Sequence, residues 1–477
     1  AVLLVVTSAL ADTALRNRIK IQKRSHVLKP ELGQGQSEDY SLEKIALLSK
    51  KRQGLILDIK RFLREAKSAD QKAELNLRLG ALYMEDYYSE MAKAQQIFEK
   101  QTLALEKKQT TVKPTLDISE ANVSLDKART IYRDLLRRAP NHQRRDEIMY
   151  FLALAAMDKN QIPEGMRYYQ MIVSGSPNSK YYNESLVQLG DHYFEKNQYP
   201  QAETYYDKIV QKKDKRLLPY AVYKKAWCAY ITKRTELALN QFKWVIANED
   251  QNVSNAPIRI KNEALRDITL PFVDLKLANE SIAYFESHGD QTHRRGVETM
   301  AGLYLEQGDY KNSILLYENL LAKDVNFKKN AEYDISIIEA HHLSGNRADA
   351  VDRLFTRLPN YMINSSWYEI NSSQPDTIRD ANRRFEELAR KYAMMYHAEG
   401  QKTKNDELYK TAKTLYAKYL EFFPTTQDAH KIRFYLAEIQ FRENDFVPSA
   451  DNYFLVYKDP RAGALRLDSI RYSLGAL

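Results

Sequence analysis

The side chains best suited to chemistry in this sequence are a few histidines and one cysteine. His341 and His342 are adjacent, and Cys228 is the single thiol. His192 follows Asp191 on a predicted helix whose pattern contains no other metal ligands. Neighbouring residues on a helix point about 100° apart, so His341 and His342 do not share a metal readily. Cys228 has no partner base indicated by the sequence, and it is predicted to be an inert core residue. No Cys/His set has metal-ligand spacing, so no metal site is expected.

Motifs of the common enzyme classes are missing from the sequence. It contains no GxxxxGK[ST] phosphate loop, no GxGxxG, no GxSxG and no HExxH. With 15 glycines in 477 residues, a glycine-rich phosphate cradle is not expected. The chain is therefore predicted to be noncatalytic, with no cofactor and no small-molecule substrate.

Composition favours an all-α chain. Glycine (15) and proline (14) are scarce, while tyrosine (33) is abundant. Sheet-rich folds with many tight turns need more glycine and proline. Hydrophobic residues make up 44% of the sequence, which is ample for a core. A chain of 477 residues is too long for one ordinary compact domain.

Positive charge is concentrated near the N-terminus. The formal net charge is +9, and residues 12–66 carry 13 Lys/Arg against 7 Asp/Glu. Such a basic arm could contact acidic lipid, cell-wall polymer or nucleic acid, or it could be a solvated linker. Peripheral contact with a membrane or cell wall through this arm is one expectation. Nucleic acid is not expected, because the basic runs do not interleave with aromatic residues on one face.

The first residues have the pattern of a processed export signal. Residues 1–6 are apolar, and Ala9 and Ala11 form an A-x-A processing site before Asp12. The apolar run is too short to span a bilayer, and no later run reaches that length. Residues 1–11 are therefore predicted to be the remnant of a signal peptide on an exported, periplasmic protein. The alternative is an apolar N-terminus on a cytosolic protein.

A recurring pair of residues organises the chain beyond the first helices. A small residue is followed four positions later by an aromatic or large apolar residue. The small residue lets the neighbouring helix approach, and the large one fills the gap to the next hairpin. Gly or Asn in the turn supplies the left-handed conformation that ends the first helix. The pairs are Ala128/Tyr132, Gly165/Tyr169, Ala202/Tyr206, Ala238/Phe242, Ser281/Phe285, Ser313/Tyr317, Ala350/Leu354, Ala412/Tyr416 and Ala450/Phe454.

This pattern resembles the tetratricopeptide repeat (TPR), whose period is about 34 residues. The small residues of the first seven pairs are 32 to 43 positions apart, so the array is TPR-like with lengthened loops. The resemblance covers roughly residues 70 to 460. It implies an all-α fold, a right-handed superhelical solenoid of antiparallel helix pairs.

Changes in pattern divide the chain into regions. Residues 12–40 are predicted to be a flexible basic linker, and residues 41–140 an N-terminal helical region with a long extended hairpin. Its long helix is expected from about Gln71 to about Lys108. Residues 141–360 form a central TPR-like array, and residues 361–477 form a C-terminal, truncated one. A last helix after Pro460 has no partner, so either the natural protein continues past Leu477 or another chain covers this end.

Two segments carry a narrower resemblance. Residues 221–230, and residues 262–267 with 281–285, are similar to periplasmic TPR proteins of bacterial gliding-motility and envelope machines. Residues 423–438 resemble TPR units of outer-membrane assembly proteins. The resemblance implies a protein-interaction scaffold of a cell-envelope complex that binds other proteins of the assembly and is associated with the outer membrane. The alternative is the accessory repeat region of a cell-wall-associated enzyme whose catalytic domain lies beyond Leu477.

TPR proteins bind partners in a concave groove lined by the first helix of each pair. The family's groove positions, aligned on the small residues, mix both charge signs with aromatic residues in this chain. That mixture suits a bound peptide or helix; the alternative is that these are solvated helix positions. The groove residues that the resemblance implies are Glu147, Tyr150, Glu184, Asp191, Phe194, Lys224, Arg266, Arg295, Glu298, Glu339 and His342.

Overall fold

The computed structural model of the chain describes residues 42–248 and 259–476, and its regular structure in these ranges is helical throughout. The all-α prediction is confirmed. The predicted signal-peptide remnant, residues 1–11, and the basic linker, residues 12–40, lie outside the described residues. Within residues 42–248 and 259–476, no helix is both long and apolar enough to cross a membrane.

Two compact units make up the described chain, and the boundary between them falls between Ala264 and Leu265. Consecutive helices of each unit pack against each other as pairs, in the order of the chain. The helices before the boundary are α1 (Leu42–Glu65), α2 (Ala69–Glu106), α3 (Ser119–Arg138), α4 (Arg145–Asp158), α5 (Ile162–Gly175), α6 (Tyr182–Glu195), α7 (Tyr199–Lys212), α8 (Leu218–Ile231) and α9 (Thr235–Asn248).

The remaining helices include α10, which contains the boundary residues, and then those of the second unit. They are α10 (Lys261–Asp267), α11 (Thr269–Asp274), α12 (Ala278–Glu286), α13 (Asp290–Gln307), α14 (Tyr310–Lys323), α15 (Asn330–Leu343), α16 (Arg347–Arg357), α17 (Ser366–Ile370), α18 (Pro375–Thr403), α19 (Asp406–Phe422), α20 (Ala429–Arg442), α21 (Phe446–Lys458) and α22 (Leu465–Ala476). Two 3₁₀ helices, Leu358–Tyr361 and Pro460–Ala462, precede α17 and α22.

The turn inside each hairpin reverses the chain at a residue with positive φ. Asn160 (φ 57°), Asn197 (φ 61°), Gly308 (φ 78°) and Gly345 (φ 87°) take this conformation, as the sequence predicts for Gly and Asn. Lys233 (φ 64°) takes it too, between α8 and α9. Because the turns are short, the two helices of a pair run antiparallel and share one buried interface.

The small residues of the predicted pairs lie in the core, where they let helices approach. Tyr132 of α3 packs against Gly80 of α2, where an added Cβ would lie 2.7 Å from the Tyr132 ring. The same ring stacks on Phe151 of the next hairpin, with ring centroids 5.5 Å apart. The aromatic residue therefore fills the space between successive hairpins, as predicted.

The ninth predicted pair is wrong in its aromatic member. Phe454 is 40% exposed, whereas its neighbour Tyr453 is 4% exposed. In α21 the buried residues are Ser449, Ala450, Tyr453 and Val456, so the small residue four positions before the buried aromatic is Ser449. Tyr453 packs against Phe434 of the preceding helix, with ring centroids 5.4 Å apart.

The longest helix, α2, confirms the predicted long helix in this region and extends beyond the core. Its buried residues end at Tyr87, although the helix continues to Glu106. Near that limit, Asp86 accepts hydrogen bonds from Arg52 of α1 at 2.9 Å and from Ser124 of α3 at 2.8 Å. The three N-terminal helices are therefore joined at one buried carboxylate.

An insertion interrupts the pairs of the second unit between α16 and α18. The indole nitrogen of Trp367, in α17, donates to the Phe327 carbonyl at 2.8 Å. The Asn371 side chain donates to the Asn326 carbonyl at 3.0 Å. Both contacts fix the insertion against the loop before α15. After it, α18 is 29 residues long, twice the 14 residues of α15.

Candidate partner-binding clefts

Five of the predicted groove residues in the first unit lie inside the packed helices. They are Glu147, Tyr150, Asp191, Phe194 and Lys224, and all are buried. These side chains therefore contact other parts of the chain rather than solvent. A signal was present in the sequence, because residues 148–156 of α4 are all apolar, which is typical of a helix enclosed on every side.

Asp191 and Lys224 are brought together in a buried cluster. The Lys224 ammonium lies 3.4 Å from Asp191 Oδ1 and 3.9 Å from the centroid of the Phe194 ring. The hydroxyls of Tyr206 and Tyr220 donate to the two Asp191 oxygens at 2.6 and 2.7 Å. Burial, and then the negative charge of Asp191, holds the pKa of both tyrosines well above its usual value, so they remain donors. The cluster links α6, α7 and α8 across two successive hairpins.

Three of the four glutamates of the predicted groove pair with a cation of the next repeat. In each pair a glutamate of one first helix meets a basic residue in the segment that leads into the next first helix. We call these the helix-to-helix glutamate pairs. The regular separation of 31 to 33 residues is a signal that sequence reasoning missed. The pairs are Glu147 with Lys180 (3.8 Å), Glu184 with Arg216 (2.8 Å) and Glu298 with Lys329 (2.5 Å).

The other predicted groove residues of the second unit are more accessible. Arg266, Arg295 and Glu339 are exposed, and Arg266 lies 2.8 Å from the Asp267 carboxylate. His342 is half-buried, with its ring 5.6 Å from the Tyr392 ring. Burial, and then nearby cations, lowers the pKa of His342, so its imidazole is neutral at pH 7. The partner-binding role of the whole set stays a prediction.

An open cleft of about 420 Å³ lies in the first unit, between the turn of one hairpin and the first helix of the next. We call it the α5–α6 cleft. Its apolar side is formed by Met157, Ile162, Pro163 and Met166. Gly165 leaves room for Met157, because an added Cβ at this position would be 2.8 Å from the Met157 sulfur. The polar side is formed by α6 and its end, through Gln188, Asp191, His192, Glu195 and Lys196.

The polar side of the α5–α6 cleft contains a buried donor. Gln188 is 4% exposed, and its Nε2 has no hydrogen-bond partner among the described residues. Leaving such a group unpaired costs about 1–3 kcal/mol, so an acceptor brought by a bound chain would be stabilised there. Burial, and then Lys196, lowers the pKa of His192 beside it. At pH 7 the cleft therefore offers a neutral imidazole and an amide donor.

A second cleft, of about 610 Å³, lies in the second unit at the insertion. We call it the α17–α18 cleft. It contains none of the predicted groove residues. Arg390 crosses its polar side, 3.0 Å from Glu386 and 3.7 Å from Asp428. The Asn382 Oδ1 atom is buried without a hydrogen-bond partner among the described residues. The apolar residues that line it are Met362, Ile363, Tyr368, Phe422 and Phe423.

The architecture is recognised by three features. Antiparallel helix pairs follow one another along the chain, small residues are buried under aromatic ones, and each hairpin contains a residue in the left-handed conformation. The fold is TPR-like. No protein-family model matches the chain, and no curated protein matches it. The fold assignment therefore rests on the helix pairs of this chain itself.

Three solved structures are similar to this TPR-like chain at low sequence identity. A tetratricopeptide repeat protein from Parabacteroides merdae is 9% identical, covers 80% of this chain and 98% of its own, and has a TM-score of 0.25. The C-terminal part of a TPR repeat-containing protein from Cytophaga hutchinsonii is 14% identical, with coverage of 59% and 98% and a TM-score of 0.25. A chain in the structure of Naa15/Naa10 bound to HypK-THB is 11% identical, with a TM-score of 0.34; the match covers 89% of this chain and 66% of that one.

Reactive groups are sparse in the described part of the TPR-like array. Among residues 42–248 and 259–476, no group of three or more His, Cys, Asp or Glu side chains is placed to hold a metal ion. Cys228 is fully buried in α8, and burial raises the pKa of its thiol to about 12. It is the core residue that the sequence predicts.

Proposed function

We propose that this chain is a noncatalytic scaffold that binds other proteins through clefts of its TPR-like array, above all the α5–α6 cleft. The observation that carries the proposal is the combination of a methionine-lined apolar side with the buried, unpartnered donor of Gln188. An apolar side chain of a partner would contact Met157 and Met166, whose flexible thioethers adapt to different shapes. A backbone carbonyl of the same partner would accept from Gln188 Nε2.

A segment of polypeptide fits this cleft chemically. Glu195 and Lys196 place both charge signs at its polar edge, next to the neutral His192. Peptide-binding grooves combine apolar pockets that select side chains with polar groups that bind the main chain. Since the cleft is open to solvent along one side, a chain could enter and leave it without being enclosed.

We propose that the protein is located in the periplasm. There it would belong to a cell-envelope assembly, such as a gliding-motility complex, that is associated with the outer membrane. The support for export is the apolar run and the A-x-A site of residues 1–11. Residues 221–230 form most of α8, whose side chains are largely buried, so the narrower similarity there concerns packing. Fractionation of cells that express the natural protein tests this part: recovery with the cytosol would contradict it.

Site-specific photo-cross-linking in living cells tests the cleft. A benzophenone amino acid at position 166 would face the cleft, whereas the same group at the exposed, adjacent Arg167 points about 100° away. We expect position 166 to capture a discrete protein and position 167 not to capture it. Captures that are equal at both positions, or none at 166, would refute the proposal.

A pair of charge substitutions supports the same test with purified components, once the captured protein is identified. Met166→Glu places a carboxylate on the apolar side of the cleft and is expected to weaken binding by about tenfold or more. Arg167→Glu, one residue away and outside the cleft lining, is the matched control. Equal weakening by both variants would indicate a general charge effect instead of binding in the cleft.

A further inference from the structure

One face of α1 presents an apolar stripe to solvent. Leu48, Leu55 and Phe62 are 41%, 49% and 47% exposed. They recur every seven residues, nearly two helical turns, so they lie within about 40° of one another around the helix. The inward face, with the buried Ile45 and Ile56, lies about 90° away on one side of this stripe. The stripe is therefore an apolar surface beside the packing interface that α1 forms with its own unit.

Charged side chains follow the other edge of the stripe, away from the core. Lys51, Asp58 and Glu65 are exposed there and are also seven residues apart. At about 100° per residue, they lie about 40° to 80° from Leu55 around the helix. Asp58 lies 3.2 Å from Arg61, whereas Lys51 and Glu65 form no ion pair with another described residue. The edge therefore changes sign along the helix, from one positive charge to two negative ones.

We propose that this face of α1 is a dimerisation surface, which binds α1 of a second copy of the chain in the antiparallel direction. Leu55 of the two copies would meet at the centre, and Leu48 of each copy would contact Phe62 of the other. Three partly exposed apolar side chains of each copy would then be removed from water. This inference is independent of the α5–α6 cleft and goes beyond the scaffold function.

The charges at the edge of the stripe favour the antiparallel direction. Lys51 is four residues before Leu55 and Asp58 is three residues after it, so Lys51 of one copy lies almost level with Asp58 of the other. Two-fold symmetry forms this pair twice. A carboxylate accepts from more than one donor, so Asp58 can keep Arg61 as well. In a parallel pair, each charge would instead be level with its own counterpart, and like charges would oppose that direction.

The same pattern favours a second copy over other occupants. A partner of uniform charge, such as an anionic polymer, an anionic lipid surface or a basic segment, would meet an unfavourable charge at one end of the edge. In the antiparallel pair, Glu65 would lie beside the first turn of α1 in the second copy, where the helix dipole favours a negative charge. A partner whose charges change sign in the opposite order fits this edge, and a reversed α1 is such a partner.

Sedimentation velocity of the full chain over a range of concentrations tests for the dimer. The stripe spans about four helical turns, which is less than a standard interface covers, so we expect a weak dimer with a Kd of about 10–100 µM. The sedimentation coefficient should therefore rise between about 1 and about 200 µM protein. A chain that stays monomeric over this range would overturn the proposal.

A charge substitution tests whether this edge forms the contact. Lys51→Glu places a negative charge beside Asp58 of the second copy and should weaken self-association by about tenfold or more. Lys50→Glu is the matched control, because Lys50 is exposed and points about 100° away from Lys51, on the side remote from the stripe. Equal weakening by both variants would indicate a general charge effect and would contradict the proposed contact.

Exchanging the two charges tests the direction. The double variant Lys51→Glu, Asp58→Lys should dimerise as the parent chain does, because each antiparallel pair again joins opposite charges. Asp58→Lys alone should weaken the dimer, and an equal mixture of the two single variants should form a heterodimer. A double variant that associates as poorly as the single ones would refute the antiparallel arrangement.

Thiol cross-linking reports proximity directly and does not depend on loss of binding. A short bismaleimide should join two copies of Leu55→Cys, whereas Leu57→Cys, on the far side of α1 and 66% exposed, should stay monomeric. The parent chain is the blank, because its single thiol, Cys228, is buried. Equal yields at both positions, or none at position 55, would contradict the proposed contact. Because these positions are exposed, the variants should keep the helical circular dichroism of the parent. Either result leaves the photo-cross-linking test of the α5–α6 cleft unaffected.

Discussion

The Asp191 carboxylate accepts from two tyrosine hydroxyls and pairs with the buried ammonium of Lys224. Removal of its charge tests how much this buried cluster contributes to stability. In Asp191→Asn the amide retains the shape but weakens the counter-charge of Lys224 in a buried site. Losing one partner of a buried ion pair costs about 3–5 kcal/mol, so we expect a destabilisation of that size in urea denaturation.

Asp207→Asn is the matched control for the Asp191 variant. Asp207 pairs with Lys225 at 2.5 Å, but its side chain is 43% exposed. Exposed pairs contribute less than about 1 kcal/mol, so this variant should change the free energy of unfolding only slightly. A comparable effect of the two substitutions would mean that the buried cluster has no special role in stability.

Buried histidines predict a loss of stability in mild acid. Burial lowers the pKa of His397 below its usual 6.5, and its ring contacts the Tyr416 hydroxyl at 3.0 Å. As the pH falls, the unfolded chain therefore binds the proton first. The contribution of the neutral His397 to the free energy of unfolding is fully present above about pH 6.5. It is lost as the pH decreases below that value.

The measurement is the urea midpoint of the full chain at about pH 7.5 and about pH 5.5, with the His397→Gln variant beside it. The midpoint should be lower at the acid pH, and the difference should be smaller in the variant. His192, His293 and His342 have pKa values shifted in the same direction by burial, so part of the difference will remain. An unchanged difference in the variant would count against His397 as a contributor.

The residues of the candidate cleft were only partly predictable from the sequence. Asp191 was found through the family's groove positions, but Gln188 and Met166 were not. Gln188 is the one polar residue in the apolar stretch 186–189, which is the signal of a buried polar group. Periodicity shows that a residue is inward, but it does not show whether its polar atoms find partners, because those come from other helices.

At the scale of the elements, the close approach of paired helices depends on glycine. In α6, a Cβ added at Gly190 would lie 2.6 Å from the Tyr206 ring of α7. Gly190→Ala therefore overpacks the hairpin and should destabilise it by about 1–3 kcal/mol in urea denaturation.

Gly54→Ala provides the opposite case on α1. An added Cβ at Gly54 would meet no atom within 4 Å, and the residue lies inside a regular helix. The substitution should stabilise the chain by about 0.4–1 kcal/mol, because alanine restricts the unfolded state. If Gly190→Ala stabilises the chain as Gly54→Ala does, helix propensity rather than packing decides the outcome.

Most helices could be predicted because their signals are local. The small and large residues four positions apart mark the second helix of each pair, and Asn or Gly marks the turn. The insertion at α17 could not be predicted in this way. Trp367 is fixed by a carbonyl forty residues earlier in the chain, and no pattern within one helix reports such a contact. The misplaced Phe454 has a similar cause, since Phe434 selects Tyr453 instead.

For the whole molecule, a consecutive array predicts that damage stays local. Each hairpin contacts mainly its neighbours in the chain, so stability is nearly a sum of repeat and interface contributions. Hydrogen exchange of Gly190→Ala should be faster in α6, α7 and α8 and unchanged in α18, α19 and α20. Equal acceleration in all these helices would instead indicate that the described chain unfolds as one cooperative body.

The overall architecture was the most predictable level, because it follows from repetition. The all-α array of antiparallel pairs is confirmed in the described residues. The predicted region boundaries near residues 140 and 360 rest on changes of pattern and stay predictions. The division between Ala264 and Leu265 falls within the longest repeat step, the 43 residues from Ala238 to Ser281.

The helix-to-helix glutamate pairs also bear on how such a chain can evolve. Each pair joins one repeat only to the next, and the small residues at 128, 165, 202 and 238 are 37, 37 and 36 positions apart. A gene duplication or deletion that spans one whole repeat would leave every remaining glutamate opposite a cation. Changes of any other length would break a pair unless they fell in a loop. The array can therefore gain or lose whole repeats while every junction between successive repeats keeps the same kind of interface.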